Sequence, residues 1–551
     1  MPIEKNEKSK FNNFLVQGSI LAIAGILVRV LGLAKRIPMP YIIGDVGNAY
    51  YSAAYEVYNV AFTVSVYGIP LAVSKLVSAK VSKGEYRNAD KIFKCTLRFA
   101  VVLGLLVSGF VFVFADGLSK MNHEPMSYLA LRVLAPALLL FCISAVFRGY
   151  FQGMGSMVQT ACSQLIETIV LVPVGLGCAY YFTKYGRKVG ALLQNENYAN
   201  AYGAAGATLG YTVGAAFALT FMILVYKANK RTFQKRIFRD PTHVIDSSWD
   251  IYKALLVTIV PITVGSFVNN ISNYLDMCLH NWMMDVKGLE AIKSVNWGIY
   301  SGKYLVLINV PIAIAASMGM STVPTISGLM KRKEYPELNQ KIESVIRLVM
   351  IIAFPCAVGL AVVAPNVVWM LFSTKTETAP NLLRIGSIGV VLFSLSTLTN
   401  GILQGMGRLI KPITHGLIAI VIHASILLSL LYFTDLNIYA VALSNNIFAL
   451  AIFAMNIVSI KKILNYRQEV KKTFVLPLAC SLAMGVVVFV IDSLLSKVLH
   501  NRFTVVLSVL IGAIVYLITM LLTKGITRYE LEKFPGGSKL YRIFKRLHLC
   551  A

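Results

Sequence analysis

Gln152-Gly153-Met154-Gly155 recurs as Gln404-Gly405-Met406-Gly407, an offset of 404 − 152 = 252. The flanks repeat with it. Leu131-Arg132, Phe141, Ser144 and Gly149 match Leu383-Arg384, Phe393, Ser396 and Gly401 at the same offset. Upstream, Tyr51-Ser52 and Tyr55 match Tyr300-Ser301 and Tyr304 at offset 249, and Gly25 matches Gly265 at offset 240. An offset that drifts but keeps its order is the trace of a duplication with later insertions. In a chain made of hydrophobic runs, two repeated halves point to a transporter with its site between them.

Such runs fill this chain. Of its 551 residues 57% are hydrophobic and 14% charged, where soluble chains carry about 25% charged residues. Runs long enough to cross a bilayer (~20 residues) fall at 14–37, 50–78, 92–115, 126–149, 157–182, 203–226, 252–278, 296–325, 342–363, 381–403, 412–433, 438–460, 473–495 and 502–523. The expectation is an all-α polytopic membrane protein of about fourteen transmembrane helices. Runs 1–6 (14–226) form an N-terminal lobe and runs 7–12 (252–460) a C-terminal lobe, with two extra helices at 473–523. Six runs per half give both halves the same orientation, as in parallel repeats.

The net charge of +27 is distributed in a way that sets topology. Lys80, Lys83, Arg87, Lys91, Lys94 and Arg98 cluster in one even-numbered connection. Lys227, Lys230, Arg231, Lys235, Arg236, Arg239 and Lys253 cluster in another, and Lys331–Lys333 and Lys461–Lys472 in later ones. Odd-numbered connections such as 38–49 and 433–437 are poor in Lys and Arg. This is the positive-inside pattern, and it predicts a multi-pass cell-membrane protein with both termini cytoplasmic. Nucleic-acid binding is not needed to explain the basicity. Phe14 to Ala24 mimics a cleavable leader, but its removal would break the alternation, so it is expected to remain as the first helix.

The chain has no Ser-His-Asp set, no metal-spaced His/Cys cluster and no phosphate-binding Walker loop. The cysteines lie scattered in apolar runs and read as small buried hydrophobes. The two Gln-Gly-Met-Gly motifs lack a preceding strand and read as tight turns. The expectation is a transporter, not an enzyme, with no cofactor, driven by membrane potential or an ion gradient.

Charge at membrane depth is costly, about 2.5–3.5 kcal/mol per residue on insertion scales, so each instance calls for a role. Arg29 lies roughly 22 Å past Phe14 in a core of ~30 Å. Arg36, seven residues on, shares its face, while Lys35 lies off that stripe and Pro38 and Pro40 end the helix. At offset 240 Arg29 corresponds to Asn269 and Arg36 to Asp276, which gives the seventh run a stripe of Asn269, Asn273 and Asp276. Lys303 and Glu56 occupy neighbouring repeat positions (303 − 249 = 54), and Lys75 lies toward the cytoplasmic end of run 2. Glu167 and His423 stand isolated and read as packing or helix–helix hydrogen bonding. Facing stripes of this net positive sign imply an anionic ligand. Phosphate or pyrophosphate suits arginine's bidentate geometry.

Arg29-Val30-Leu31-Gly32-Leu33-Ala34-Lys35-Arg36 resembles the helix 1 signature of the MurJ-type lipid II flippases. Tyr51, Ala54-Tyr55, Val57-Tyr58, Gly68-Ile69-Pro70 and Ser74-Lys75 resemble the stage V sporulation protein B branch. Both belong to the multidrug/oligosaccharidyl-lipid/polysaccharide exporter superfamily. The resemblance implies that Arg29 and Lys35 contact the pyrophosphate and sugar region. Lys303 lies about one turn from the family's helix 8 cation, and Asp45 stands near an acid after helix 1. It implies a groove for an undecaprenyl tail along 473–523. Run 11 lacks the carboxylate of the sodium-binding members, so sodium coupling is not expected.

The combined expectation is a flippase, acting as a monomer among membrane lipids. It would carry an undecaprenyl-pyrophosphate-linked saccharide, lipid II first, from the cytoplasmic to the outer leaflet by alternating access. Substrate-binding residues are expected to be Arg29, Lys35, Arg36, Lys303 and Lys75, supported by Asp45, Glu56, Asn269, Asn273 and Asp276. The alternatives are another lipid-linked glycan unit, a drug/cation antiporter of the same superfamily, which would want an acidic cavity, and a membrane glycan polymerase, which would want a large outer loop.

Overall fold

The computed structural model describes residues 24–25, 27–242, 244–374, 376–498, 502–523 and 525. Most of the first hydrophobic run, with the leader-like stretch, therefore lies outside the described residues. All regular structure among them is helical, and thirteen segments are long and apolar enough to cross a membrane. The chain is a multi-pass membrane protein. Leu105, Leu106 and Val113 of one such helix stand exposed, as lipid-facing side chains do where no water is met.

The helices, in chain order, begin with α1 (27–36), α2 (Met39–Ser65), α3 (Ile69–Val81), α4 (Tyr86–Val113), α5 (Ala115–Met121) and α6 (Tyr128–Gly153). Then come α7 (Val158–Leu192), α8 (Asn197–Phe238), α9 (Ser248–Val286), α10 (Glu290–Ile299), α11 (Leu305–Arg332) and α12 (Tyr335–Val362). The last are α13 (Ala364–Phe372), α14 (Thr378–Gly386), α15 (Ile388–Gly405), α16 (Ile410–Phe433), α17 (Ile438–Leu464), α18 (Leu476–Val498) and α19 (Arg502–Leu522).

The duplicated motif takes the same form twice. Both α6 and α15 end on its first glycine, and its second glycine has positive φ, +88° at Gly155 and +75° at Gly407. The closing hydrogen bonds correspond one for one: Ser156 N–H donates to Phe151 O at 3.0 Å and Arg408 N–H to Leu403 O at 2.9 Å. The first glycine permits a close approach. A Cβ on Gly153 would lie 2.7 Å from Val77 of α3, and one on Gly405 would lie 3.1 Å from the Val323 carbonyl of α11. The repeat thus preserves both a left-handed helix stop and a helix crossing.

Two expected boundaries move. Residues 38–49, expected to be a connection, are almost wholly helical. Pro38 precedes α2 and Pro40 sits in its first turn, where proline's fixed φ suits a helix start. The bend is taken instead by Gly44, at φ +69° and ψ 177°. The eighth run begins early, as α10, and passes through a π-helical turn at Tyr300–Tyr304 before α11.

Compactness divides the chain elsewhere than the duplication does, between Gly302 and Lys303. In the first unit α7 and α8 pack at backbone distance. Cβ atoms on Gly206, Gly210 and Gly214 would lie 2.4, 2.5 and 2.7 Å from the carbonyls of Cys178, Leu171 and Glu167. An aromatic core of Phe93, Phe147, Tyr150 and Tyr226 joins α4, α6 and α8. In the second unit, α12, α13, α18 and α19 share a core that includes Ile351, Val367, Met484 and Tyr516. The Tyr516 hydroxyl donates to the Ile351 carbonyl at 2.8 Å.

Candidate functional site

Lys35 and Arg36 are adjacent and both lie near Tyr51 and Tyr211, but Lys35 is buried and Arg36 half-buried. Lys35, 2% exposed, is turned among α2, α7 and α8. Its ammonium donates to the Ala207 carbonyl at 3.1 Å and the Tyr51 hydroxyl at 3.4 Å, and stands 4.3 Å from the Tyr211 ring centroid. Lys35, expected to meet the substrate, is thus buried among these three helices. Arg36 lies within electrostatic reach of Tyr51, Tyr55, Tyr211 and Glu56. Glu56 in turn lies within reach of both Arg36 and Asp276. Glu56 of α2, whose Oε2 is buried without a hydrogen-bond partner, is thus the residue within reach of both half-equivalent positions.

The other expected residues separate. Arg29 is exposed on α1, and Lys75 is exposed on α3. Asp276 is buried and Asn273 exposed, so the α9 stripe does not share one environment. The Asn269 side chain lies outside the described residues. Lys303 is buried in the π-helical turn that opens the second unit. Asp45 is half-buried, and its backbone meets α10, where a Cβ on Gly298 would fall 1.8 Å from the Asp45 carbonyl oxygen. Asn48 Nδ2 donates to the Gly298 carbonyl at 2.9 Å and to Ser301 Oγ at 3.2 Å, and Trp297 Nε1 donates to Ser52 Oγ at 3.3 Å. These bonds close α2 on α10 beside the Arg36–Glu56–Asp276 set.

Two polar clusters escaped the sequence reading. The first ties the α5–α6 connection to the end of α9 and to α10. Asp285 accepts from His123 Nδ1 at 2.5 Å and from Lys293 Nζ at 2.6 Å, and Lys293 also donates to the His123 carbonyl at 2.7 Å. Ser294 Oγ donates to Glu124 at 2.7 Å, and Asn281 Nδ2 donates to the Asn122 carbonyl at 3.0 Å. Burial pushes the Glu124 carboxyl up to about 7, against the opposing pull of Ser294 and Lys293. The only sequence signal was polarity in two short connections far apart in the chain.

The second cluster corrects the reading of Glu167 as isolated. Arg148 donates to it at 2.7 Å and to Ser163 Oγ at 2.9 Å. At offset 252 Arg148 and Ser163 become Asn400 and His415. Those two meet in the second unit through Asn456, which contacts His415 Nδ1 at 2.7 Å and Asn400 Oδ1 at 2.8 Å. A knot built on an Arg–Glu pair in one half is built on amides and an imidazole in the other. Among the described residues no group of three His, Cys, Asp or Glu side chains is arranged to hold a metal.

The profile of the family described as "Polysaccharide biosynthesis protein" matches residues 15–330. The chain is 23% identical over 524 residues to stage V sporulation protein B of Bacillus subtilis (strain 168), covering 95% of this chain and 98% of that protein. It is 24% identical over 523 residues to the lipid II flippase MurJ of the same organism, covering 91% and 94%. Two solved structures share the fold at TM-score 0.66. One is a lipid II flippase MurJ in an inward closed conformation, 15% identical, with 91% of this chain and 97% of that chain covered. The other is a multidrug resistance MATE family transporter in an inward-facing conformation, 14% identical, with 81% and 98% covered. The fold is that of a membrane transporter.

Proposed function

The chain belongs to the polysaccharide biosynthesis protein family, and we propose that it is a flippase for an undecaprenyl-pyrophosphate-linked saccharide, with lipid II as the substrate. The observation that supports the reading is that Glu56 lies within electrostatic reach of both the Arg36 guanidinium and Asp276. Arg36 and the exposed Arg29 would take the pyrophosphate, since guanidinium matches its oxygens bidentately and stays charged in a low dielectric. Glu56 and Asp276 would hold Arg36 until the anion displaces them. Lys75 and Lys303 would extend the cationic path. Asp45 and Asn273, with Asn269, would line its rim.

In this reading 14–226 and 252–460 are the moving lobes and the basic connections face the cytoplasm. The tail stays in lipid against α18 and α19, and the protein works as a monomer. An inside-negative potential then favours outward movement of the anion, by about 2.3 kcal/mol per charge per 100 mV.

A second reading, a flippase for a different lipid-linked glycan, is favoured by the nearly equal identity to the sporulation protein and to MurJ. One experiment separates them: depletion of a host's own lipid II flippases with this chain as replacement. Growth supports lipid II. Lysis despite normal membrane abundance excludes it and leaves the other glycan.

A further inference from the structure

Residues 239–242 and 244–247, between α8 and α9, are strapped to the α3–α4 turn by their polar groups. Arg87 N–H donates to Asp240 Oδ2 at 2.7 Å, and Asp246 N–H donates to Asn88 Oδ1 at 3.0 Å. Asn88 Nδ2 donates to the Val244 carbonyl at 3.1 Å, and Lys91 Nζ to the Asp246 carbonyl at 2.6 Å. Lys80 pairs with the Asp246 carboxylate at 2.7 Å. The strap's acids and carbonyls are thus spent inward.

Beside exposed Ser247 and Ser248 it turns four large apolar side chains outward. Asp240 is 4% exposed, whereas Phe238 is 87%, Val244 78%, Trp249 74% and Ile245 53% exposed. A loop bathed in water has the reverse arrangement, because carboxylates are hydrated and large apolar groups are not. The same stretch carries exposed Lys227, Lys230, Arg231, Lys235, Arg236 and Arg239. α8 has 42 residues, roughly 63 Å at 1.5 Å per residue, against a core of ~30 Å. It must leave the hydrocarbon, and the strap returns the chain to a membrane-crossing helix that opens beside Trp249.

We propose that residues 238–242 and 244–249 form an in-plane anchor in the anionic phospholipid leaflet. Phe238, Val244, Ile245 and Trp249 enter the acyl boundary, while Lys235, Arg236 and Arg239 bind headgroup phosphates. Outward-facing aromatic and aliphatic groups beside exposed cations match this chemistry, and anionic lipid adds about 1 kcal/mol per cation at the surface. The inference does not rest on the substrate assignment.

The full chain is purified with its cysteines replaced, labelled with bimane at Val244→Cys or Phe238→Cys, and placed in vesicles of phosphatidylcholine with and without phosphatidylglycerol. Lipids brominated on the acyl chain are the quencher, and a label at Gln194→Cys, at the tip of the α7–α8 hairpin, is the water reference. The anchor predicts severalfold more quenching at 238 and 244 than at 194, independent of protein-to-lipid ratio and increased by phosphatidylglycerol. The triple change Lys235→Gln, Arg236→Gln, Arg239→Gln removes the phosphatidylglycerol increment. Quenching no greater than at 194 in either lipid overturns the anchor. So does quenching that vanishes on dilution in lipid, which would make a second copy the occupant, or a water-like signal that changes only when cytosolic protein is added. A phosphatidylglycerol increment that survives the triple change overturns the role of the cations.

Discussion

Arg148 reaches across from α6 to place its guanidinium 2.7 Å from the carboxylate of Glu167 on α7. The two side chains are 13% and 19% exposed, so the pair sits at the edge of the interior. Each residue explains the other's presence in an apolar helix. A lone charge there would be expelled or neutralised, whereas a pair with Ser163 as an extra acceptor is tolerated. The equivalent site in the other half does the same job with neutral amides and an imidazole.

Removing one charge should therefore cost more than removing both. Glu167→Gln leaves Arg148 without its counter-charge and should lower stability by about 1–2 kcal/mol. Arg148→Met with Glu167→Met should recover most of that. Thermal unfolding in detergent measures it. Additive losses in the double variant would mean that the pair contributes nothing as a pair.

The Glu124 cluster should give the protein an acid-favoured stability. A carboxyl raised to about 7 when folded holds a proton that the unfolded chain releases above about pH 4.3. The contribution is complete below the unfolded value and is lost as pH rises through the folded one. Unfolding temperature should fall between pH 4.5 and 7.5, and Glu124→Gln should flatten that slope. An unchanged slope would show that Glu124 does not titrate there.

Gly298→Ala should separate α2 from α10. Its methyl would meet the Asp45 backbone oxygen at 1.8 Å, and backbone cannot rotate away as a side chain can. Overpacking of this kind costs about 1–3 kcal/mol. A thiol probe at Ser52→Cys, now beside Trp297, should react several times faster in the Gly298→Ala background. Unaltered reactivity would mean that the contact relaxes elsewhere.

Lys35 and Arg36 should differ in kind. Lys35→Met loses two hydrogen bonds, each worth about 1 kcal/mol, but also removes a buried ammonium that no carboxylate pairs within the described residues. Stability should stay within about 1 kcal/mol of the parent, and transport should persist. Arg36→Met should abolish transport at normal membrane abundance. Complementation scored beside membrane abundance decides it, and loss of transport in Lys35→Met would return that lysine to the substrate path.

Much of this was legible in one dimension. Hydrophobic length, the Gln-Gly-Met-Gly repeat and the alternation of basic connections are local or periodic properties. They were enough for the described membrane-crossing helices and the glycine turns at Gly155 and Gly407. They were not enough for direction. Lys35 and Arg36 differ by about 100° around one helix, and which of them meets Glu56 depends on where α7 and α8 close around Tyr211. The partner of Glu167 is 19 residues away and those of His123 and Lys293 lie about α9. No spacing rule links such positions, because packing of whole helices brings them together. The path at 38–49 likewise turned on Pro38 and Pro40, which suit a helix start, and on Gly44, whose positive φ lets the helix bend. The sequence by itself therefore determined that the chain is helical and crosses the membrane many times, and where its repeated glycine turns fall. Only the tertiary structure decided which charges share a site, because a side chain's neighbours across helices are set by rotation and crossing, not by order along the chain.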